Sequence, residues 1–280
     1  MAFVLTGGGA FAQLTTQTPI EPPHDSGQGI TPAYEGWYRN PDGSANILIG
    51  YYNRNLKESL DIPVGTDNRV EPGGPDRGQP THFIPGRQWG TFTITVPKDF
   101  AADQKITWTI TANGKTASVP ASLNPLWVIA PFLDATGNTP PFISFQETGP
   151  FLQGPPRGFA NAVTATLQEP VALTVWVADD AKVPPSFAAL AKMIPAVTVT
   201  WSKFRGPGTV KFDAEKPKVE KANFQAPPTT AFAGKATTTA TFSEPGEYVL
   251  EVVANDISGF GGGGFQCCWS TAELRVSVKP

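Results

Sequence analysis

The sequence predicts an all-β protein built as two antiparallel β-sandwich domains joined by a connector rich in proline and aromatic residues. Apolar residues recur with period two along most of the chain, which places them on one face of a strand. Glycine and proline number 28 and 29 among 280 residues, enough punctuation to exclude coiled coils and long helical bundles. Seven Trp, 18 Phe and five Tyr supply the large apolar surfaces that disordered chains lack, so a packed core follows. The length suits two domains of roughly 100–150 residues each.

The first twelve residues, MAFVLTGGGAFA, are apolar and end in the small-x-small form of a signal-peptidase site, with no basic segment before it. Two readings stand: the remnant of an export signal, or a frayed end with no role. The stretch is far shorter than the roughly 20 apolar residues that cross a bilayer, and no other run qualifies. Residues 1–30 thus form an export-signal-like segment and a proline-rich tether that stands the folded body off from its start. In the first strands, Ala45, Ile47, Ile49 and Tyr51 alternate with other residues. Phe92, Ile94 and Val96 share one face, with three threonines on the other. Ile106, Trp108 and Ile110 repeat the pattern. Asn113-Gly114 is the strongest short hairpin signal, because a type I′ turn needs positive φ at both central residues. Threonine outward and β-branched or aromatic residues inward describe a sandwich wall, giving a first domain over residues 31–123.

Residues 124–158 hold Pro125, Pro131, Pro140, Pro141, Pro150, Pro155 and Pro156, interleaved with Trp127, Phe132, Phe142, Phe145 and Phe151. Each proline removes a ladder donor, so this segment is not expected to form a central strand. It is too aromatic for a solvated linker and is expected to lie along one or both domains, restricting their relative motion. The second domain, residues 159–280, repeats the alternation. Val171, Leu173, Val175 and Val177 share a face, as do Val197, Val199 and Trp201. So do Tyr248, Leu250, Val252 and Ala254, and then Ala272, Leu274, Val276 and Val278. Only residues 186–193, SFAALAKM, have helical spacing, so architectures that alternate strand and helix are disfavoured.

Trp201-Ser-Lys-Phe-Arg-Gly206-Pro207-Gly208, Gly246-Glu-Tyr248 and Asn255-Asp256 make the second domain resemble the PKD and REJ-like immunoglobulin-type β-sandwich domains of bacterial surface proteins. The resemblance implies an immunoglobulin-like fold of about seven strands and a role in spacing or in protein or glycan contact. The first domain carries Gly36-Trp37-Tyr38, Asn40-Pro41-Asp42-Gly43-Ser44 and Arg77-Gly78-Gln79-Pro80-Thr81-His82-Phe83. It resembles a domain of uncharacterised exported bacterial proteins, which implies no activity.

Cys267 and Cys268 are the only cysteines. A trans peptide sets their Cα atoms about 3.8 Å apart, below the usual disulfide span of about 4.4–6.8 Å. Two free or buried thiols and a strained vicinal disulfide both stand as readings. Structural zinc wants four thiolate or imidazole ligands, and the chain has two Cys and two His. The glycine-rich loop before them either presents Phe260, Phe265 and Trp269 at a domain end for protein or sugar contact, or folds these aromatics back on the sheet. Asp179, Asp180 and Asp256 offer hard oxygen ligands for calcium at one end of the second sandwich, against the reading of solvated turn carboxylates. Arg77, Gln79, His82 and Arg87 form a dense polar group in the long loop of residues 66–87. They pin that loop, with Arg77 and Arg87 pairing Asp61 or Asp76, or they make a recognition surface.

A net charge of −3 provides no basic field for nucleic acid. Nucleophilic triads need a histidine, and only His24 and His82 exist, so an enzyme is not expected. No cofactor is expected beyond the calcium reading. The sequence points to a non-catalytic, periplasmic or extracellular protein, peripheral to the membrane. It would work by protein contact as an extrinsic subunit of a bacterial envelope or membrane complex serving transport, respiration or photosynthesis. A glycan-binding or adhesion module at the cell surface is the alternative, motivated by the tryptophans and the aromatic loop.

Overall fold

A computed structural model describes residues 22, 24–183, 188–189, 195–258 and 267–280. The expected helix at 186–193, apart from 188–189, and the loop carrying Phe260 and Phe265 lie outside the described residues, as does the export-like start.

The N-terminal sandwich comprises β1 (Ile30–Arg39), β2 (Ala45–Asn53), β3 (Leu60–Asp61), β4 (Asn68–Glu71), β5 (His82–Phe83), β6 (Gly86–Val96), β7 (Ile106–Ala112) and β8 (Lys115–Ala121). One antiparallel sheet runs β1-β2-β6, a second β4-β7-β8, and β3 pairs β5. The inward sets expected from alternation are buried together: Ile47, Ile49, Phe92, Ile94, Trp108 and Ile110 share one core. Asn113 and Gly114 turn the β7–β8 hairpin with φ of 49° and 71°, as the Asn-Gly signal requires.

Trp108 anchors this core between Phe92 and Phe83, with ring centroids 4.9 and 6.2 Å away. Its indole N–H donates to Asn68 Oδ1 at 3.0 Å, while Asn68 Nδ2 donates to the carbonyls of Ile62 and Pro80 at 2.9 and 2.8 Å. One fully buried amide thus ties both ends of the long loop to the core. The expected ion pairs of Arg77 and Arg87 with Asp61 or Asp76 are absent. Arg77 bonds the carbonyls of Pro72 and Thr95, Arg87 pairs with Glu35, and both aspartates reach the second domain instead.

The C-terminal sandwich comprises β9 (Phe142–Ser144), β10 (Leu152–Gln153), β11 (Phe159–Thr166), β12 (Val171–Asp179), β13 (Val197–Arg205), β14 (Val210–Phe212), β15 (Glu220–Lys221), β16 (Phe232–Phe242), β17 (Gly246–Asp256) and β18 (Trp269–Lys279). One sheet runs β10-β9-β12-β16-β14, with β15 also on β16; the other runs β11-β18-β17-β13. All pairings are antiparallel except β11 with β18. Tyr248 Oη donates to the carbonyl of Glu244 at 2.8 Å and accepts from Gly208 N at 3.0 Å. A tyrosine bonded back to the backbone just upstream, at the corner between two strands, is a hallmark of immunoglobulin-like sandwiches.

Two expectations are corrected. The connector does contribute an interior strand: β9 lies between β10 and β12, because Phe142, Ile143 and Ser144 are a proline-free stretch just after Pro140-Pro141. The remainder of the connector touches both domains. Ile129 N donates to the carbonyl of Trp37, Thr93 Oγ1 to that of Pro156, and Thr271 N to that of Gly154. The end of the tether does not stand off the body either. Residues 24–29 dock on the turn after β2, where Asn55 Oδ1 accepts from Gln28 N at 2.6 Å and its Nδ2 donates to the Gln28 carbonyl at 3.1 Å.

Part of the outer face of the β11-β18-β17-β13 sheet, on β13, β17 and the start of β18, is covered by the N-terminal domain. Phe204 and Val249 enter the N-terminal core, and Trp269 packs with Tyr38, Leu48 and Ile129. Asn68→Ala removes three hydrogen bonds and leaves buried partners unsatisfied. It is expected to lower unfolding free energy by about 3 kcal/mol, measured by denaturant titration at constant m-value.

Candidate functional site

Where the two domains meet, their surfaces part to leave a cavity of about 900 Å³. β5 and β6 supply one wall, with His82, Arg87, Trp89 and Thr91. β13, β14 and β17 supply the other, with Trp201, Lys203, Phe212, Glu251 and Val253, and Trp269 closes one side. Strand alternation explains the second wall: Tyr248, Leu250 and Val252 of β17 face their own core, so Glu251 and Val253 face the other domain. β18 starts at Trp269, whose ring lies against the backbone of Gly90. Gly90 has φ of +55°, and a Cβ there would stand 2.8 Å from that ring, so both conformation and space require glycine.

Among the described residues six buried side-chain nitrogen or oxygen atoms have no hydrogen-bond partner. Four belong to residues of this one cavity: Thr91 Oγ1, Trp201 Nε1, Glu251 Oε2 and Trp269 Nε1. Each unsatisfied group costs about 1–3 kcal/mol. Four among the residues around one cavity are a feature that stability alone does not explain.

Burial pushes the Glu251 carboxyl well above the usual glutamate range, and the charge of Glu273, its ladder partner on β18, adds to this. Burial lifts Glu273 to about 7, with Arg205 pulling the other way. At the cavity rim, burial raises the Asp61 carboxyl, but hydrogen bonds from Lys203 and His82 outweigh it and leave the group below 3.8. Lys203 Nζ and His82 Nδ1 approach Asp61 Oδ1 at 2.8 and 2.9 Å. Burial lowers His82, with Asp61 opposing. Arg87 donates to Glu35 and stacks over Trp89 with its guanidinium 3.8 Å from the ring centroid. Outside the cavity, Arg205 forms a two-pronged bond to Asp76 at 2.8 and 3.0 Å and also donates to the Gln79 carbonyl.

The polar group read from the sequence is therefore split. His82 and Arg87 line the cavity. Arg77 and Gln79 do not; Gln79 is fully buried, its side chain bonded to Arg77 N and the Pro75 carbonyl. Trp269 is not displayed at a tip but is 5% exposed between the domains. Cys267 and Cys268 form the vicinal disulfide, both buried and both near the Asn138 carbonyl. Their peptide is cis, where the sequence reading assumed trans spacing.

Asp179, Asp180 and Asp256 lie at one end of the second sandwich. Asp180 accepts from Thr139 and from Lys182, and Asp256 accepts from Asn138 and Ser258. Burial raises Asp179 to about 7, with the charges of Asp256 and Asp180 adding to the effect. Among the described residues no group of three histidine, cysteine or acidic side chains has metal-holding geometry.

Sequence reasoning missed Thr91 and Glu251, since a threonine or glutamate on the polar side of a strand reads as solvated. The available signal was Phe204 and Val249, apolar residues among those polar faces.

No family model matches the sequence, and no curated protein matches it. Similar solved structures include titin immunoglobulin tandem domains A164-A165, 11% identical, covering 90% of this chain and 99% of that chain with a TM-score of 0.23. They also include the D00-D0 domain of intimin, 13% identical over 90% of this chain and 100% of that one, TM-score 0.27. Domains 4 and 5 of the S-layer protein SbsC are 10% identical over 90% and 98%, TM-score 0.25. At these scores the immunoglobulin-like architecture rests on the chain's own strand order and tyrosine corner.

Unfolded glutamate releases its proton near 4.5 and folded Glu273 near 7, so the folded state binds the extra proton in between and stability falls as pH rises through that window. Glu273→Gln is expected to flatten this fall by up to about 1.4 kcal/mol per pH unit between roughly pH 5 and 7. Urea titrations across that range read the slope; an unchanged slope contradicts the burial account of Glu273.

Proposed function

We propose that the protein is a non-catalytic binding module, exported to the periplasm or cell exterior, that holds a small polar ligand between its two sandwiches. The observation that carries this is the cavity of about 900 Å³ between the two sandwiches, bordered by charged, polar and aromatic side chains from both. Its volume lies within the roughly 300–1,000 Å³ of small-molecule sites, and its walls combine apolar surface with a few convergent polar groups. The Cys267–Cys268 disulfide supports an oxidising compartment. Among the described residues no helix is long and apolar enough to cross a membrane. The PKD/REJ-like assignment of the second domain is supported by Gly246 at φ +141° and by the hydrogen bonds of Tyr248. Thermal-shift screening against a library of small polar metabolites is expected to find compounds that raise Tm. Trp269→Phe, which trades the indole for a smaller phenyl ring and removes the N–H, is expected to weaken that response. A library without stabilisers, or a variant that responds like the parent, contradicts the assignment.

A second reading, protein contact, has its own observation. The 3₁₀ turn Pro125–Trp127 and the residues after it expose Leu126 at 90%, Val128 at 55%, Leu133 at 54% and Trp127 at 50%. An exposed apolar stretch of this kind suits a partner surface such as an envelope or membrane complex. The change Leu126→Ser, at the 90% exposed residue, is expected to release the protein from native membranes in mild detergent without lowering its Tm. Equal retention of parent and variant on those membranes removes this reading.

A further inference from the structure

The structure assigns a separate site for a small oxyanion: a sulfate, phosphate or carboxylate group seated at Arg77 and Arg157. It lies apart from the cavity of the proposed function, and the two share no lining residue.

The site is a pocket of about 520 Å³, further along β13 and β17 than the larger cavity. Three parts of the chain build it. The first domain supplies the Asp76–Gly78 turn with Thr93 and Thr95 of β6, the connector supplies Pro156–Gly158, and the second domain supplies Arg205, Val249 and Glu273. Its volume falls within the roughly 300–1,000 Å³ of small-molecule sites.

Charge selects the ligand. Three arginines border this pocket on a chain whose net charge is −3. Among the described residues Arg205 alone of the three has a carboxylate partner, Asp76, which takes two of its N–H groups. Arg77 spans the carbonyls of Pro72 and Thr95 at 3.4 and 3.3 Å, long for bonds from a guanidinium. A guanidinium has five N–H donors, so Arg77 keeps donors for a ligand. The Arg157 guanidinium lies 5.0 Å from the centre of the Phe132 ring, beside the Tyr38 phenol. Arg77 is half-buried and Arg157 exposed, so neither is sealed in a core. The opposing charge is small. Asp76 is committed to Arg205, and burial lifts Glu273 to about 7, so below neutrality that carboxyl is mostly uncharged.

Other ligand classes fit less well. The neutral groups of the wall are engaged with one another: Asn40 and Asn46 exchange hydrogen bonds, Thr95 donates to Asn46, and Thr93 donates to the Pro156 carbonyl. The donors left over are guanidinium N–H groups, whose fork matches the paired oxygens of an oxyanion. A cation would meet three like charges. A nucleic acid would need an extended basic surface, which the net charge of this chain does not supply.

The test is an NMR titration of the full chain carrying ¹⁵N-labelled arginine, at about pH 6, where Glu273 is mostly protonated. Sodium chloride holds the ionic strength constant, so a response requires preference over chloride. The Nε–H signals of Arg77, Arg157 and exposed Arg54, the reference, are assigned with the three Arg→Gln variants. Sodium sulfate, sodium phosphate and sodium succinate are the probes, and they distinguish the three sources of the group. The expected result is a saturable shift of the Arg77 and Arg157 signals with at least one probe while Arg54 holds still. Arg77→Gln and Arg157→Gln are each expected to weaken that probe about tenfold, equivalent to ~1.4 kcal/mol, read on the remaining arginine. The titration of the parent chain decides the matter even where a variant fails to fold. No shift with any probe, or equal shifts at Arg54, overturns the site, and so does an affinity unchanged in both variants. Weakening by Trp269→Phe as large as that by the arginine variants places the anion in the larger cavity and also overturns it. Failure of this site leaves the larger cavity's assignment to the metabolite screen.

Discussion

The structure depends on one burial: the part of the outer face of the β11-β18-β17-β13 sheet around Phe204, Val249 and Trp269, which an isolated sandwich shows to water, is covered by the N-terminal domain. Magnitudes decide what holds it there. Full burial of a large apolar side chain contributes about 1.5–3 kcal/mol, and Phe204 and Val249 both sit inside the neighbouring core. The Arg205–Asp76 bond has a half-exposed aspartate and contributes at most about 1 kcal/mol. Apolar insertion therefore holds the domains together, and the ion pairs fix their register.

That same burial creates the site. Two sheets packed face to face do not match everywhere, and around Glu251 the mismatch leaves a cavity rather than close packing. Glu251 and Glu273 are directly opposed in the ladder, so covering them removes solvent from two carboxyls at once, and protonation is the relief that the fold provides. Trp269 joins the two features. Its ring completes the small apolar cluster against Tyr38, Leu48 and Ile129, while its indole nitrogen is one of the unpartnered atoms.

Local structure was legible in the sequence because period-two alternation reports which side of a strand is apolar. Phe92, Ile94, Trp108, Leu250 and Leu274 are all inside, and Asn113-Gly114 turns as its φ demands. The candidate site was legible only in part, because alternation says which side is polar but not whether that side meets water or another domain. Thr91 and Glu251 share their strand faces with ordinary solvated residues. His82 and Arg87 were found because they crowd a long loop; the partners Asp61 and Asp76 were misassigned because their true cations, Lys203 and Arg205, lie more than a hundred residues away. The connector was misread at Phe142–Ser144 because three residues between prolines are too few to show a period.

Calorimetric unfolding of the intact chain tests the central claim most directly, since a shared buried face makes the two sandwiches one cooperative unit. A single transition is predicted, with calorimetric and van't Hoff enthalpies equal. Two resolved transitions, with one sandwich melting while the other remains folded, would contradict it.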